Sequence, residues 1–117
     1  MKMPSAKKER WLKALRSGGY DQANGTLYDP ATQSFCCLGV MQHCLSRGKV
    51  EVDSKYSASF EGLPTSKWCK RQGIELEHMD IEYPIDPLMD KLIAMNDGGR
   101  SFAEIANVIE KEVEVTD

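Results

Sequence analysis

The 117-residue chain contains no long apolar run. No stretch approaches the roughly 18 apolar residues that a membrane-spanning helix needs. The residues after Met1 are polar and basic, so a secretory leader is not expected either. Cysteines paired at metal-ligand spacing are also missing. Cys36 and Cys37 are adjacent, Cys44 and Cys69 each stand alone further on, and no C-x-x-C occurs. Strong zinc signatures rest on such pairs. Four cysteines in a chain without a leader read as free thiols of a reducing, intracellular compartment, and Cys37 and Cys44 as small buried hydrophobes. Histidine is scarce: only His43 and His78 are present. Asp97-Gly98-Gly99-Arg100 is not a phosphate-binding loop, and neither Gly-Gly pair makes a dinucleotide fingerprint. Asp80, Glu82 and Asp86 do not have the glycine and spacing of a calcium loop. No metal, no cofactor and no assembled catalytic set are therefore expected. An excess of positive charge is absent as well. The net charge is −3, whereas a dedicated nucleic-acid binder is usually basic.

What is present suits one soluble α+β domain covering residues 1–117. Hydrophobic residues make up 41% of the chain and run along its whole length, enough for a thin core. Charge is unevenly placed. Residues 1–16 carry Lys2, Lys7, Lys8, Arg10, Lys13 and Arg16 against Glu9, and the end carries Glu110, Glu112, Glu114 and Asp117 against Lys111.

Residues 5–17 have helical periodicity, with Trp11, Leu12 and Leu15 on one side, Ser5 as expected N-cap and Gly18-Gly19 as stop. Asn24-Gly25 is a strong hairpin signal and would join 20–23 to 26–29. A second turn at Asp29-Pro30-Ala31-Thr32 would return a third strand at 33–36, making a small antiparallel, hairpin-based meander. Residues 36–45 then shift to helical period and predict a cysteine-rich core helix, in which Gly39 implies close packing on the sheet. Val50 and Val52 suggest an edge strand, and 54–62 a loop. A short helix through Trp68 ends at Gly73, and the acidic stretch 74–87 is loop or edge strand. Pro87 opens a further helix. Asn96-Asp97-Gly98-Gly99 turns the chain, and Ser101 with Glu104 forms a capping box before the stripe Phe102, Ile105, Ala106, Ile109 and Val113. The last two helices make a C-terminal αα-hairpin.

Two places are candidates for a ligand. At one, Arg16, Tyr20 and Gln22 offer a cation, an aromatic face and an amide where a helix end meets a turn, a set suited to a nucleobase and its phosphates. At the other, Asn96, Asp97, Arg100 and Ser101 surround the start of the last helix, where unpaired N–H groups attract anions. Ser101 and Glu104 compete for those donors. A hydrolase built from Cys36 or Cys37 with His43, or from the acids near Asp80, is the enzymatic alternative.

The motifs Trp11-x-x-Ala14-Leu15-Arg16-Ser17-Gly18-x-Tyr20-x-Gln22, Phe35-Cys36-Cys37-Leu38-Gly39-Val40, Trp68 before Gly73, and Asn96-Asp97-x-Gly99-x-Ser101-Phe102-x-x-Ile105-Ala106 occur in order along nearly the whole chain. Together they resemble a widespread family of small bacteriophage proteins. The resemblance implies a phage gene product acting in the cytoplasm of an infected bacterium, with no established enzymatic activity. By analogy with other phage accessory proteins of this size, the expected role is a non-enzymatic, homo-oligomeric binder that blunts host defence. Its expected partner is a small anionic ligand, such as a nucleotide-type immune signal, or a host protein it inhibits directly.

Overall fold

The computed structural model describes residues 1–48 and 63–117. The edge strand expected at Val50 and Val52 and the loop expected at 54–62 lie outside the described residues. Among the described residues the order is β1 (Lys2–Met3), α1 (Ser5–Arg16), β2 (Asp21–Gln22), β3 (Tyr28–Asp29), β4 (Ser34–Phe35), α2 (Cys37–Leu45), α3 (Ser66–Arg71), α4 (Pro87–Asp97), α5 (Phe102–Glu112) and β5 (Glu114–Val115). The fold is α+β, as the patterning predicts. None of these helices is long and apolar enough to cross a membrane.

Helix α1 forms where expected, but Ser5 is not its cap. Pro4 occupies the N-cap and offers no side-chain bond. Ser5 is the first helical residue, and its N–H and hydroxyl donate to the two carboxylate oxygens of Asp117 at 2.8 and 3.1 Å. The missing cap is thus supplied from the other end of the chain, and these bonds hold the Asp117 carboxyl below its usual range. Trp11, Leu12 and Leu15 turn inward. The Trp11 indole N–H donates to the Cys37 carbonyl at 3.0 Å, so this buried ring also has its polar atom satisfied.

The small sheet departs from the expected meander. Strand β3 pairs antiparallel with β4 through the Asp29-Pro30 turn, a hairpin as expected. Strand β2 does not pair with β3; it lies parallel on the other side of β4, with Asp21 opposite Ser34 and Gln22 opposite Phe35, giving the order β2-β4-β3. A type I′ turn needs positive φ at both central residues. Gly25 has φ 73°, but Asn24 keeps a negative φ. The Gly25 N–H instead donates to Asp97 Oδ1 at 2.9 Å, and the Ala23 carbonyl accepts from Asn96 Nδ2 at 2.7 Å. Bonds from the end of α4 replace the hairpin's own.

Helix α2 runs through the centre. Leu38, Val40, Met41 and Gln42 are fully buried, and Cys36 caps the helix by accepting the Gly39 N–H on Sγ at 3.4 Å. It packs against α1 and α4, and α5 packs against α1 and α4. Cys44, expected in the buried stripe, is only half-buried. Short α3 is capped by Thr65 and closed by Gly73 at φ 75°. Asp86 and Pro87 start α4, and the predicted capping box starts α5. A second sheet was not apparent from the sequence: β1 pairs parallel with β5, Lys2 opposite Glu114 and Met3 opposite Val115, and the Lys2 backbone also bridges Glu75 on its other side.

Candidate functional site

The thiols are set for packing. Cys36, Cys37 and Cys69 are buried, and Cys44 is half-buried. Burial pushes the Cys36 and Cys44 thiols up to about 11, Cys69 to about 12, and Cys37 well above its ordinary value. The Cys37 S–H donates to the Leu92 carbonyl at 3.6 Å, and Cys44 to that of Met41 at 3.5 Å. A thiolate nucleophile is therefore scarce at neutral pH. His43 does not face a thiol partner; its Nδ1 lies 2.7 Å from the Tyr20 hydroxyl. Burial, and then the neighbouring Cys44, raise the Tyr20 pKa, so the phenol stays protonated. Phe35 packs edge-on against both rings. Among the described residues no group of three or more acidic, histidine or cysteine side chains could hold a metal.

One measurement checks the thiols. An unfolded thiol ionises near 9, whereas folded Cys36 and Cys44 hold their protons to about 11. Above pH 9 the unfolded chain binds fewer protons than the folded one, so stability falls as pH rises. In reducing buffer, native protein is expected to show little ultraviolet thiolate absorbance at pH 9 and the urea-unfolded chain a large one, with the unfolding midpoint declining from pH 9 towards 11. Full thiolate absorbance near pH 9 in the native protein would contradict the burial.

The seven candidate ligand residues separate. Arg16 donates to Asn107 Oδ1 at 3.0 Å and pairs with Glu110 at 3.1 Å on α5. Tyr20 is held by His43. Gln22 leaves both of these and joins the αα-turn, donating to Asn96 Oδ1 at 2.9 Å and to the Arg100 carbonyl at 2.8 Å. The set Arg16, Tyr20 and Gln22 is thus committed to three different partners. At the turn, Asp97 accepts from Gly25, Arg100 pairs with Glu104 at 3.0 Å, and Ser101 and Glu104 exchange capping bonds. Bonds from Ser101 and Arg100 hold the Glu104 carboxyl below its usual range. The polar groups here already satisfy one another, so the turn acts as a clasp joining 22–25 to the α4–α5 corner.

Open concave space lies elsewhere. A cleft of about 550 Å³ is formed by Met1 and Lys2, residues 75–77, residues 86–88 and Glu112. That volume falls in the range of ordinary ligand sites. Asp86 forms its floor and is 2% exposed. Its Oδ1 accepts from the Leu88 and Met89 N–H groups at 3.0 and 3.1 Å, and its Oδ2 accepts from Glu77 N–H at 3.1 Å and lies 3.3 Å from the Met1 amine. Lys2 pairs with Glu114, and Glu112 with Lys91. Glu75 and Glu77 are exposed and carry no ion pair among the described residues. The mouth is therefore acidic, and Leu76, Pro87 and Leu88 supply apolar wall. Sequence patterning pointed here only through the acids Asp80, Glu82 and Asp86. The stronger signal was that residues 75–90 contain six acids and no lysine or arginine.

Fold and site define a small α+β domain with an acidic surface cleft. The chain belongs to the family described as Domain of unknown function (DUF8296), whose model matches residues 3–113. Comparison with curated proteins and with solved structures gives no match.

Proposed function

We propose that this chain is a non-enzymatic binding protein whose contact site is the acidic cleft, and that its partner presents positive charge there. One observation carries the reading: the cleft combines adequate volume with Glu75 and Glu77, which carry no ion pair among the described residues, and none of the described residues lining it offers a thiol, hydroxyl or imidazole. Such a site attracts and orients a cation through its carboxylates. The likeness to small bacteriophage proteins supports an accessory role in an infected bacterium, where occupying a host component is itself the useful act. The electrostatics favour a cationic partner over the anionic nucleotide signal. Arg16 and Arg100, the cations an anion would use, are each already paired with a glutamate.

Thermal melting with two ligand panels tests the reading, one of polyamines and arginine esters and one of mono-, di- and cyclic nucleotides. Cationic ligands are expected to raise the melting temperature and to be recovered intact by mass spectrometry. Saturation at about 100 times the dissociation constant adds about 2.7 kcal/mol. Charge removal by Glu75→Gln with Glu77→Gln is expected to abolish the shift. Stabilisation by nucleotides alone would move the site to the αα-turn, and chemical conversion of any ligand would overturn the non-enzymatic assignment.

A further inference from the structure

Close to the cleft along the chain lie two exposed apolar side chains that a small cation does not need. Ile81 and Ile85 are 47% and 52% exposed, among the most exposed large hydrophobic side chains of the described residues. Scattered exposed apolar residues are ordinary, but these two share one short acidic segment. Ile85 directly precedes Asp86 in the cleft floor. Its backbone exchanges two hydrogen bonds of 3.0 Å with His78, which directly follows Glu77 in the cleft wall. The tip between them is anchored to α3 by Ser66 N–H donating to the Glu82 carbonyl at 2.8 Å. The isoleucines are thus presented on backbone braced at both ends, which lowers the ordering cost of binding.

We infer that Ile81, Ile85 and the cleft form one docking surface for a basic segment of a partner protein, in which a lysine or arginine enters the cleft and a neighbouring apolar side chain covers the isoleucines. This rests on the cleft being the binding site and goes further by naming its occupant. Charge complementarity carries the choice. With six acids and no lysine or arginine over residues 75–90, this face repels nucleic acid and anionic membrane surfaces and attracts a cationic partner. The isoleucines favour a chain bearing apolar residues over a free polyamine, because apolar contact area at the centre of an interface contributes most of the affinity.

Selection from a random peptide library displayed on yeast, with the full-length protein as bait, tests the inference. Enriched peptides are expected to place lysine or arginine within a few residues of a leucine, isoleucine, valine or aromatic side chain. A synthesised winner should bind more weakly as salt is raised. It should lose about tenfold or more in affinity with Glu75→Lys plus Glu77→Lys, and similarly with Ile81→Ser plus Ile85→Ser. All four side chains are exposed, so these variants are expected to keep the wild-type circular dichroism. Polyamine binding that depends on Glu75 and Glu77, without enrichment of basic apolar peptides, would overturn the inference and leave the cleft as a binding site. Peptide and polyamine binding that ignores both pairs of substitutions, or no binding of either kind, would overturn both. Winners that are acidic, or that are indifferent to the isoleucine substitutions, would overturn the docking surface. Self-association that is abolished by the same substitutions, with no peptide enriched, would replace the foreign segment with a second copy of this chain.

Discussion

Gly39→Ala is expected to destabilise the protein by about 3 kcal/mol or more, although alanine is the better helix former by about 1 kcal/mol. The usual gain assumes open space beside the helix. At Gly39 a Cβ would overlap the Leu27 carbonyl oxygen and lie 2.8 Å from its carbon. These are backbone atoms and cannot rotate away. The same carbonyl accepts the Cys36 N–H at 3.2 Å, the bond that docks the start of α2 on the chain before β3. Relief would require α2 to lift from that segment. Both are held tightly, since Leu27 is 5% exposed and the neighbours of Gly39 in the helix are fully buried. For a domain of this size a loss of that order lowers the melting temperature by roughly 10–20 °C. Urea denaturation of the variant checks it, with Gly19→Ala as the comparison. At Gly19 a Cβ would meet only the Ser17 hydroxyl oxygen at 3.3 Å, so a far smaller change is expected. Wild-type stability in Gly39→Ala would mean that α2 does not sit this close.

The close approach at Gly39 was legible because a glycine inside an apolar helical run weakens the helix, and a neighbouring backbone pressed against it offsets that cost. The start of α5 was equally legible, because its capping box and apolar stripe are both local, and so was that of α4, where Pro87 marks the first turn. What sequence patterning misplaced was decided by residues far along the chain. Asn24-Gly25 has a real turn preference, yet Asp97 and Asn96, more than seventy residues later, supply hydrogen bonds that pull the segment open. Ser5 has the right chemistry for an N-cap, but Asp117 competes for its hydroxyl and makes the cap itself. Two-residue strands such as β1 and β5 are too short for alternation to register, and their pairing joins opposite ends of the chain.

The candidate site follows the same rule. Its walls come from four separate segments, none with a motif of its own, so the cleft could not be assembled from local pattern. Only its charge was readable, as a run of acids without a lysine or arginine. The residues that pattern alone marks for ligand binding are polar and lie at helix ends. Helix ends are also where the fold must satisfy its own orphan N–H and carbonyl groups. Gln22, Asn96, Asp97 and Ser101 are consumed by that demand.

Asn96→Ala is accordingly expected to act on folding rather than on a ligand, and to destabilise by about 3–5 kcal/mol. Asn96 is fully buried. Its Nδ2 donates to the Ala23 carbonyl at 2.7 Å, while its Oδ1 accepts from Gln22 Nε2 at 2.9 Å and from the Cys37 N–H at 3.2 Å. One amide thus ties the β2 segment and the first turn of α2 to the end of α4. Truncation leaves a buried helix N–H and a buried carbonyl without partners, at roughly 1–3 kcal/mol each, and adds a small void. Asn96→Asp keeps the acceptor but loses the donor to Ala23 and places a carboxylate in a buried position beside Asp97. Burial would raise the folded pKa of that carboxyl above its unfolded value, so the variant should lose stability as pH rises from acid to neutral. Gln22→Ala, at an exposed residue, should cost about 1 kcal/mol or less. In the double variant with Asn96→Ala the two losses should fall short of adding, because both remove the same bond. Urea midpoints for the three variants and the double check each statement. A loss below about 1 kcal/mol for Asn96→Ala would mean that the buried groups find other partners, and that the corner between α4 and α5 is free to do something besides hold the fold together.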